Sequence, residues 1–414
     1  MIAEKFHQRM VEEHLDELAF LLHLRESLIP FSRGDVREWL GLDRRIAAHI
    51  QGLLLREGTA WARLQLLIAA RPTKDRLRVA GVLALNASRP ELLGEYLRWL
   101  QITPDKTPFA DEVVRWVLPT FRSRAASYLS ESNSSAEAER ALWIELVNLV
   151  GLSPQAWWNM AEQLLSCAEA APYTARALSR LRTPDALPAL QMLVQHPDGG
   201  IRSGALCAMM VLGNHESAEQ VWELETVASS FSTLLYLRAI LRSPDVAVEL
   251  RLSQLWRRGL KEASVLGIGA LGRLTLMPPL LEIMADPEVS KLAGRIFEVM
   301  SGHLSPAVPI AEAGTSGPPS INQTYVHLKS PDRKAAAEWL RGPGQALPQS
   351  EALIGGQPRT TGLCLEALRL GDCSFRLLCS EVLAVSHSGL VGPDIHAPMY
   401  QQIRNPAMST SESI

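Results

Sequence analysis

A repeating spacing of about 30 residues runs through the middle of this chain. Two series follow it, one of mostly small residues and one of apolar residues that end each interval: Ala175, Gly204, Leu234, Ala263, Ala293 and Leu181, Leu212, Leu241, Leu271, Met300. A fixed period of this length, rich in Leu and Ala, is typical of stacked helical hairpins. Such hairpins bury their apolar faces only against neighbours, so they stack into a solenoid. The spacing therefore predicts an all-α fold, an α-solenoid of helical hairpins with a period of about 30 residues.

Changes in composition divide the chain into five stretches. In chain order these are a capping helix over 1–34, irregular helical repeats over 35–152, the regular array over 153–302, a Pro- and Gly-rich loop over 303–325, and helical repeats with a tail over 326–414. In the first stretch, Phe6, Met10, Leu15, Leu18 and Leu22 mark the apolar stripe of an amphipathic helix, which Pro30 ends.

Two short sequence motifs mark the predicted helix ends. Ser or Thr followed by Pro and Asp recurs at 183–185, 243–245 and 330–332. There we expect the hydroxyl to cap a helix, Pro to fit its first turn and Asp to face its positive end. Asp beside Pro, at 197–198 and 286–287, predicts the turn inside a hairpin.

Charge and cysteine usage narrow the class of protein. Lys and Arg number 41 against 44 Asp and Glu, a net charge of −3, whereas nucleic-acid binders carry a basic excess. The apolar runs are far shorter than the roughly 20 residues that cross a membrane, and the N-terminus lacks a signal-peptide pattern. The 5 cysteines form no CxxC motif, which predicts reduced, buried thiols. We therefore expect a cytoplasmic protein with neither nucleic acid nor membrane as a partner.

Three motifs that resemble chemical sites have simpler explanations. A GxGxxG run at 267–272 lies inside a predicted helix without the preceding strand of a dinucleotide fold, so it indicates close helix packing. His7, His14 and His23 lack the i, i+4 spacing of a zinc pair on a helix. Ser386 beside His387 lacks a nucleophile elbow and indicates a polar loop. We predict no catalytic residues, no cofactor and no metal.

A basic cluster surrounds Trp256, formed by Arg251, Arg257, Arg258 and Lys261. Trp and Arg are enriched at interface hot spots, so the cluster could face an acidic partner or a phosphate. The alternative is a solvated helix whose Trp packs inward.

The hairpins resemble HEAT-like repeats. Asp198, Ile201, Arg202 and Ala205 are similar to the Asp…Val-Arg…Ala pattern of that family's second helix, over a match of roughly residues 40–300. The repeats of Ala263 and Ala293 lack the matching Arg and carry Lys261 and Lys291 nearby, which are the clearest departures from the pattern.

The C-terminal part resembles a narrower group. The segments AAAEWL (335–340), GGQPR (355–359), LEALRL (365–370) and HAPMYQ (396–401) look like the end of a bacterial family with HEAT-like repeats. That family is encoded in type VI secretion and toxin gene clusters. The resemblance implies a cytoplasmic accessory protein that works with a toxin or a secretion component, and it supplies no catalytic residues.

Spacing and resemblance together predict a non-catalytic protein-binding scaffold with an immunity or adaptor role. The second helices of the hairpins would form a concave groove for the protein partner. The candidate partner-binding residues are Trp256, Arg257, Arg258, Arg202 and Arg238. The alternative is a helical-repeat enzyme of the DNA glycosylase or lyase kind, which would need a basic groove with an aromatic side chain and a carboxylate.

Overall fold

The computed structural model describes residues 2–28, 36–89, 91–101, 113–117, 174–175, 186–224, 229–303, 328, 330–347, 351–370, 373–386 and 402. These residues are mostly helical, which confirms the all-α prediction. The chain divides into two compact units, the first mainly Glu38–Ala205 with the N-terminal helix and the second mainly Leu206–Ile395. The loop predicted over 303–325 lies outside the described residues apart from His303, as does most of 102–173.

Seven helices lie wholly or partly in the first unit among its described residues. They are α1 (Ile2–Leu28), α2 (Val36–Leu54), α3 (Glu57–Ala70), α4 (Lys74–Asn86), α5 (Glu91–Gln101), α6 (Leu187–Val194) and α7 (Gly199–Val211). Of these, α1, α2 and α7 extend past the boundaries of the unit. Helix α4 begins where Thr73 Oγ1 accepts a hydrogen bond from the Arg76 backbone N–H at 3.3 Å. It is buried over most of its length, and both α3 and α5 pack against it.

The apolar stripe of α1 is shifted from the one the sequence predicts. Leu15, Leu18 and Leu22 are buried as expected, but Phe6 is 60% exposed and Met10 is 39% exposed. The 3.6-residue period that buries the three leucines continues instead through buried Val11, Leu21 and Arg25. Burial of Arg25 is compensated because its Nε lies 2.5 Å from Oδ1 of buried Asp43. Its guanidinium carbon also lies 6.0 Å from the ring centroid of Trp39 and 5.2 Å from that of Trp116.

The second unit contains the remaining described elements. Its helices are α8 (Glu216–Glu223), α9 (Ser229–Arg242), α10 (Val248–Arg257), α11 (Lys261–Leu271), α12 (Met277–Ile283), α13 (Ser290–Ser301), α14 (Arg333–Arg341), α15 (Thr361–Leu370) and α16 (Cys373–Ser386). Short 3₁₀ turns lie at Asp245–Ala247, Leu274–Leu276 and Pro343–Ala346, and the strands are β1 (Leu353–Ile354) and β2 (Gln357–Pro358).

The helices of this unit pack in a regular order. Helix α8 packs on α9, α10 on α11, and α12 on α13, while α9 contacts α11 and α11 contacts α13. Helix α16 contacts α9, α11 and α13. Because α11 and α13 have helices packed on several sides, they are buried over nearly their whole length. The core of the second unit therefore lies around α9, α11 and α13.

Cations connect each hairpin of the second unit to the next. Their partners lie 25 to 32 residues away in sequence, which is one interval of the repeating spacing. The connections are Arg242 to the Met210 carbonyl, Arg251 to Glu219, Lys261 to Asp286, and Arg273 to Asp245. The spacing seen in the sequence thus reappears as contacts between successive hairpins.

The glycines of the GxGxxG run allow close packing, as the sequence predicts. A Cβ on Gly267 would lie 2.6 Å from Ile240 of α9, and one on Gly269 would lie 2.9 Å from Ile296 of α13. Gly272 ends α11 in the left-handed conformation with φ of 69°. Each glycine therefore has a packing or capping role.

The hairpin turns agree with prediction. Asp198 Oδ1 accepts the Ile201 backbone N–H at 2.9 Å, and Asp286 Oδ1 accepts the Glu288 backbone N–H at 2.8 Å. Each Asp thereby binds a backbone N–H of its own turn, as this residue often does.

The side chains of the Ser-Pro-Asp motifs make hydrogen bonds that differ from the predicted ones. The Ser243 hydroxyl donates back to the Ala239 carbonyl at 2.8 Å, because Ser243 directly follows α9 and reaches its last turn. At 330–332 the cap is Asp332, whose Oδ1 accepts the Ala335 N–H at 3.0 Å. Asp332 has extended φ and ψ, and α14 begins one residue later, so the carboxylate occupies the N-cap position in place of the Ser330 hydroxyl. The copy at 183–185 lies outside the described residues.

A short β-hairpin interrupts the helical C-terminal repeats that the sequence predicts. Gly355 and Gly356 join β1 to β2 with φ of 60° and 76°, the conformation of a two-residue hairpin turn. Their backbone N–H groups donate to the last carbonyls of α13 at 2.7 and 2.9 Å, and the Leu353 N–H donates to the Gly272 carbonyl at 2.7 Å. The hairpin therefore satisfies carbonyls at the C-terminal ends of α11 and α13.

Candidate functional site

Helix α10 has one buried side and one exposed side that is partly apolar. The buried side consists of Val248, Leu252 and Leu255. Opposite it, residues 250, 253 and 257 of the helix follow one another at spacings of three and four, and residue 246 lies in the 3₁₀ turn that precedes the helix. We call these four residues the outward stripe of α10. In this stripe Val246 is 95% exposed and Leu250 is 54% exposed. Arg257 is also exposed, and its Nη2 lies 3.1 Å from Ser253 Oγ.

Trp256 lies beside this stripe and is half-buried. The Nζ of Lys261 lies 5.4 Å from the centroid of the Trp256 ring, a cation–π contact. The same ammonium donates hydrogen bonds to Asp286 at 2.9 Å and to Glu288 at 2.6 Å. These carboxylates therefore neutralise the charge next to Trp256.

The pKa values of Lys261 and Asp286 follow from the same contacts. Hydrogen bonds to Asp286 and then to Glu288 raise the pKa of Lys261. Burial acts to raise the pKa of Asp286, but hydrogen bonds from Lys261 and from the Glu288 backbone outweigh it and lower that pKa. Both shifts favour the charged forms.

A row of alternating cations and aromatic rings fixes α10 to its neighbours. Arg251 lies 4.9 Å from the Trp222 ring, Trp222 lies 5.5 Å from Tyr236, and Arg258 lies 5.9 Å from Tyr236. Arg258 also donates to the Tyr236 hydroxyl at 3.2 Å and to the Leu224 carbonyl at 2.6 Å. Burial raises the pKa of Tyr236, against the opposing charge of Arg258. Since the row joins α8, α9 and α10, it holds the outward stripe in a fixed orientation.

The structure brings together three of the five candidate partner-binding residues. Trp256, Arg257 and Arg258 lie together at the C-terminal end of α10. Arg238 lies on α9 and pairs with Glu381 of α16 at 2.8 Å. Arg202 lies in the first unit, where its Nη1 donates to the carbonyls of His196 and Pro197, both at 2.7 Å.

The side of the second helices that binds α16 is already occupied. Helix α16 contacts α9, α11 and α13, and Leu378 of α16 lies within 3.1 Å of the Cβ position of Gly269. The sequence predicts a partner on the second helices, but α16 of the same chain covers part of them. Val246, Leu250 and Arg257 of the outward stripe, in contrast, are exposed.

Sequence reasoning missed Val246 and Leu250, although a signal for them exists. The buried residues of α10 repeat at the spacing of an amphipathic helix, so any apolar residue on the opposite side is out of pattern. Two such residues, ten and six positions before Trp256, mark an exposed apolar surface.

Other predicted features of the chain have clear positions. His14 Nδ1 lies 2.9 Å from Nδ1 of His49, so one histidine of α1 pairs with a histidine on α2. The described cysteines Cys207, Cys364 and Cys379 are buried thiols outside any disulfide, as predicted. Among the described residues no group of three or more His, Cys, Asp or Glu is placed to hold a metal ion. Within the same residues no helix is both long and apolar enough to span a bilayer.

Similarity to known proteins adds nothing to this description. No protein-family model, no curated protein and no solved structure matches the chain.

Proposed function

We propose that this chain is a non-catalytic helical-repeat scaffold that binds a partner protein through the outward stripe of α10. The observation that carries the proposal is the exposure of Val246 and Leu250, 95% and 54%, beside Trp256 and Arg257. Trp and Arg are enriched at interface hot spots, and exposed apolar side chains that lie together mark interaction surfaces. The cation–aromatic row behind α10 pre-orders this surface, which lowers the entropy lost on binding.

The scaffold is a HEAT-like solenoid in this proposal. The packing order of α8 to α13 supports it, since each hairpin packs on the next through its second helix. The connections at intervals of 25 to 32 residues support it as well. A solenoid gains stability from each neighbouring pair of repeats and offers an extended surface to a partner.

The partner in this proposal is a toxin or another component of a type VI secretion system. The C-terminal resemblance to proteins of such gene clusters is the basis for this choice. The chain would either neutralise the toxin as an immunity protein or hold it for loading as an adaptor.

The charge pattern favours this role over the helical-repeat enzyme. A glycosylase-like enzyme needs a positive groove around its aromatic residue. Near Trp256, Lys261 pairs with Asp286 and Glu288, and Arg251 pairs with Glu219 at 2.6 Å. The mixed charge suits a protein surface better than a phosphate backbone.

A binding measurement with matched variants tests the proposal. The full-length chain is combined with each protein encoded beside it, and affinity is measured by calorimetry. The variant Val246→Asp/Leu250→Glu/Arg257→Glu should weaken binding by at least about tenfold, which corresponds to about 1.4 kcal/mol. Since all three side chains are exposed, its circular dichroism should match that of the wild type.

Leu66→Glu is the matched control. Leu66 is 64% exposed on α3, so this variant places a carboxylate on another apolar surface residue, as Val246→Asp and Leu250→Glu do, and it should bind like the wild type. Unchanged affinity of the triple variant would exclude the α10 stripe. If the wild type bound none of the encoded neighbours at micromolar concentration, the scaffold role itself would be wrong.

A further inference from the structure

Cys364 and Cys379 lie in two consecutive helices that pack on each other. Two residues separate α15 from α16, and so short a connection joins antiparallel neighbours. Cys364 lies six residues before the end of α15, and Cys379 lies six residues after the start of α16. In an antiparallel pair, residues equally far from the connection lie at the same level. Both side chains are buried, with 2% and 1% exposure.

Arg359 provides a partly buried positive charge for this pair. It lies between β2 and α15, and its Nη1 donates to the Ala270 carbonyl near the end of α11. Its charge acts on both thiols. Arg359 is therefore held in position by α11 while it acts on a pair of cysteines in α15 and α16.

The two thiols differ in how readily they lose a proton. A hydrogen bond from Cys379 lowers the pKa of Cys364, and the Arg359 charge adds to this effect while burial opposes it. The same hydrogen bond, together with burial, raises the pKa of Cys379. Cys364 is the first to become a thiolate, and Cys379 keeps its proton and donates it to that sulfur.

We propose that Cys364 and Cys379 form a redox-active pair that hydrogen peroxide converts to an intramolecular disulfide, locking α15 to α16. This site is separate from the protein-binding stripe of α10.

The reaction has two steps. The Cys364 thiolate attacks one oxygen of hydrogen peroxide, the O–O bond breaks, and Cys364 becomes a sulfenic acid. The hydroxide that leaves combines with the proton that Cys364 released and forms water. The Cys379 sulfur then attacks the Cys364 sulfur, its proton joins the departing hydroxyl, and a second water forms. The two thiols are oxidised by two electrons in total, and the peroxide is reduced to two water molecules.

Burial of the pair makes the reaction depend on opening of the α15–α16 packing. Peroxide reaches Cys364 when the helices separate briefly, and the disulfide then restrains further separation. Because α16 contacts α9, α11 and α13, oxidation should raise the melting temperature of the full chain.

Mapping of disulfides in the oxidised full-length protein tests the proposal. The protein is treated with increasing hydrogen peroxide, unfolded with N-ethylmaleimide, and cut with trypsin without reduction. Cleavage after Arg359, Arg369, Arg376 and Arg404 places Cys364, Cys373 and Cys379 on three separate peptides, 360–369, 370–376 and 377–404. We expect peptide 360–369 to become linked to 377–404, with Cys207 still blocked by maleimide. Cys207 is a suitable internal control because it is also buried, with 5% exposure.

Two serine variants separate the roles of the thiols. Cys379→Ser should lose the linked peptide and leave Cys364 as a sulfenic acid that dimedone traps. Cys364→Ser should lose both the linked peptide and the dimedone adduct, and Cys207→Ser should behave like the wild type. The proposal is overturned if, after treatment with millimolar peroxide, maleimide blocks Cys364 and Cys379 to the same extent as Cys207. It is also overturned if Cys373 forms the main disulfide link. The wild-type map decides this even if a serine variant fails to fold.

Discussion

Arg238 and Glu381 form a nearly buried ion pair across 143 residues of sequence. The Arg238 Nε lies 2.8 Å from the Glu381 Oε2, and the two side chains are 12% and 13% exposed. Arg238 also donates to the Cys207 carbonyl at 3.1 Å. A residue that the sequence suggested for partner binding therefore attaches α16 to α9.

Removing one member of this pair should destabilise the protein. Arg238→Gln leaves the Glu381 charge nearly buried without its cation, so we expect a loss of about 2 kcal/mol in the free energy of unfolding in urea. Glu381→Gln should cost a similar amount, and the double variant less than the sum. Glu13→Gln removes a partner of the exposed pair with Arg9 and should change stability by less than about 0.5 kcal/mol. Equal effects of Arg238→Gln and Glu13→Gln would show that the α9–α16 pair is unimportant.

Adding one methyl group at Gly269 should also destabilise the fold. Its Cβ would meet Ile296 at 2.9 Å and Leu378 at 3.1 Å, so Gly269→Ala overpacks the contact of α11 with α13 and α16. We expect a cost of about 1–3 kcal/mol in denaturant unfolding. Gly41 lies in α2 with no atom within 4 Å of its Cβ position, so Gly41→Ala should stabilise the helix by about 0.5–1 kcal/mol. The same sign at both positions would contradict the packing role of Gly269.

The His14–His49 pair should make stability depend on pH. Burial and then the charge of His14 lower the pKa of His49 from 6.5, with Arg45 acting in the same direction and Glu17 against it. The unfolded chain therefore takes up this proton more readily than the folded chain. Stability is complete above pH 6.5 and decreases as the pH falls from there through the lower pKa of the folded state.

Melting temperatures from about pH 8 to about pH 5 measure this effect. His49→Gln should flatten the decrease relative to the wild type. His7→Gln, at an exposed position of α1, is the control and should keep the wild-type slope. A slope in His49→Gln as steep as in the wild type would assign the pH dependence to other groups.

The N-cap of α14 should depend on Asp332 rather than on Ser330. Asp332→Ala removes the acceptor for the Ala335 N–H and should cost about 1 kcal/mol. Ser330→Ala leaves that hydrogen bond intact and should cost clearly less in the same urea titration. A larger loss of stability for Ser330→Ala than for Asp332→Ala would identify Ser330 as the N-cap, as the Ser-Pro-Asp motif predicts.

Local signals in the sequence predicted much of the second unit. Helices α7, α9, α11 and α13 end at Val211, Arg242, Leu271 and Ser301, spaced 31, 29 and 30 residues apart, close to the spacing read from the sequence. Small residues, apolar periodicity and turn residues act within one hairpin or between adjacent ones, so they can be read along the chain. The packing role of the GxGxxG run was predictable for the same reason.

Contacts between distant segments were not predictable in this way. Nothing near Arg238 or Glu381 indicates that α16 packs on α9, because the contact depends on how the whole C-terminal part returns to the helices before it. The β-hairpin did leave a local signal, since two glycines separate two short apolar or Pro-containing pairs at 353–358. Arg258 and Arg238 were assigned to partner binding because they were judged by residue type alone. Their partners, Tyr236 and Glu381, become apparent only in three dimensions.

The position of α16 also limits how this chain can vary in length. Proteins built from neighbouring units commonly gain or lose a whole unit, since each junction resembles the next. Here one helix contacts α9, α11 and α13 together. Deleting the α10–α11 hairpin would remove Gly269, which packs near Leu378. Duplicating it would put Arg238 out of register with Glu381. The number of hairpins under α16 is thus set by the length of a single helix.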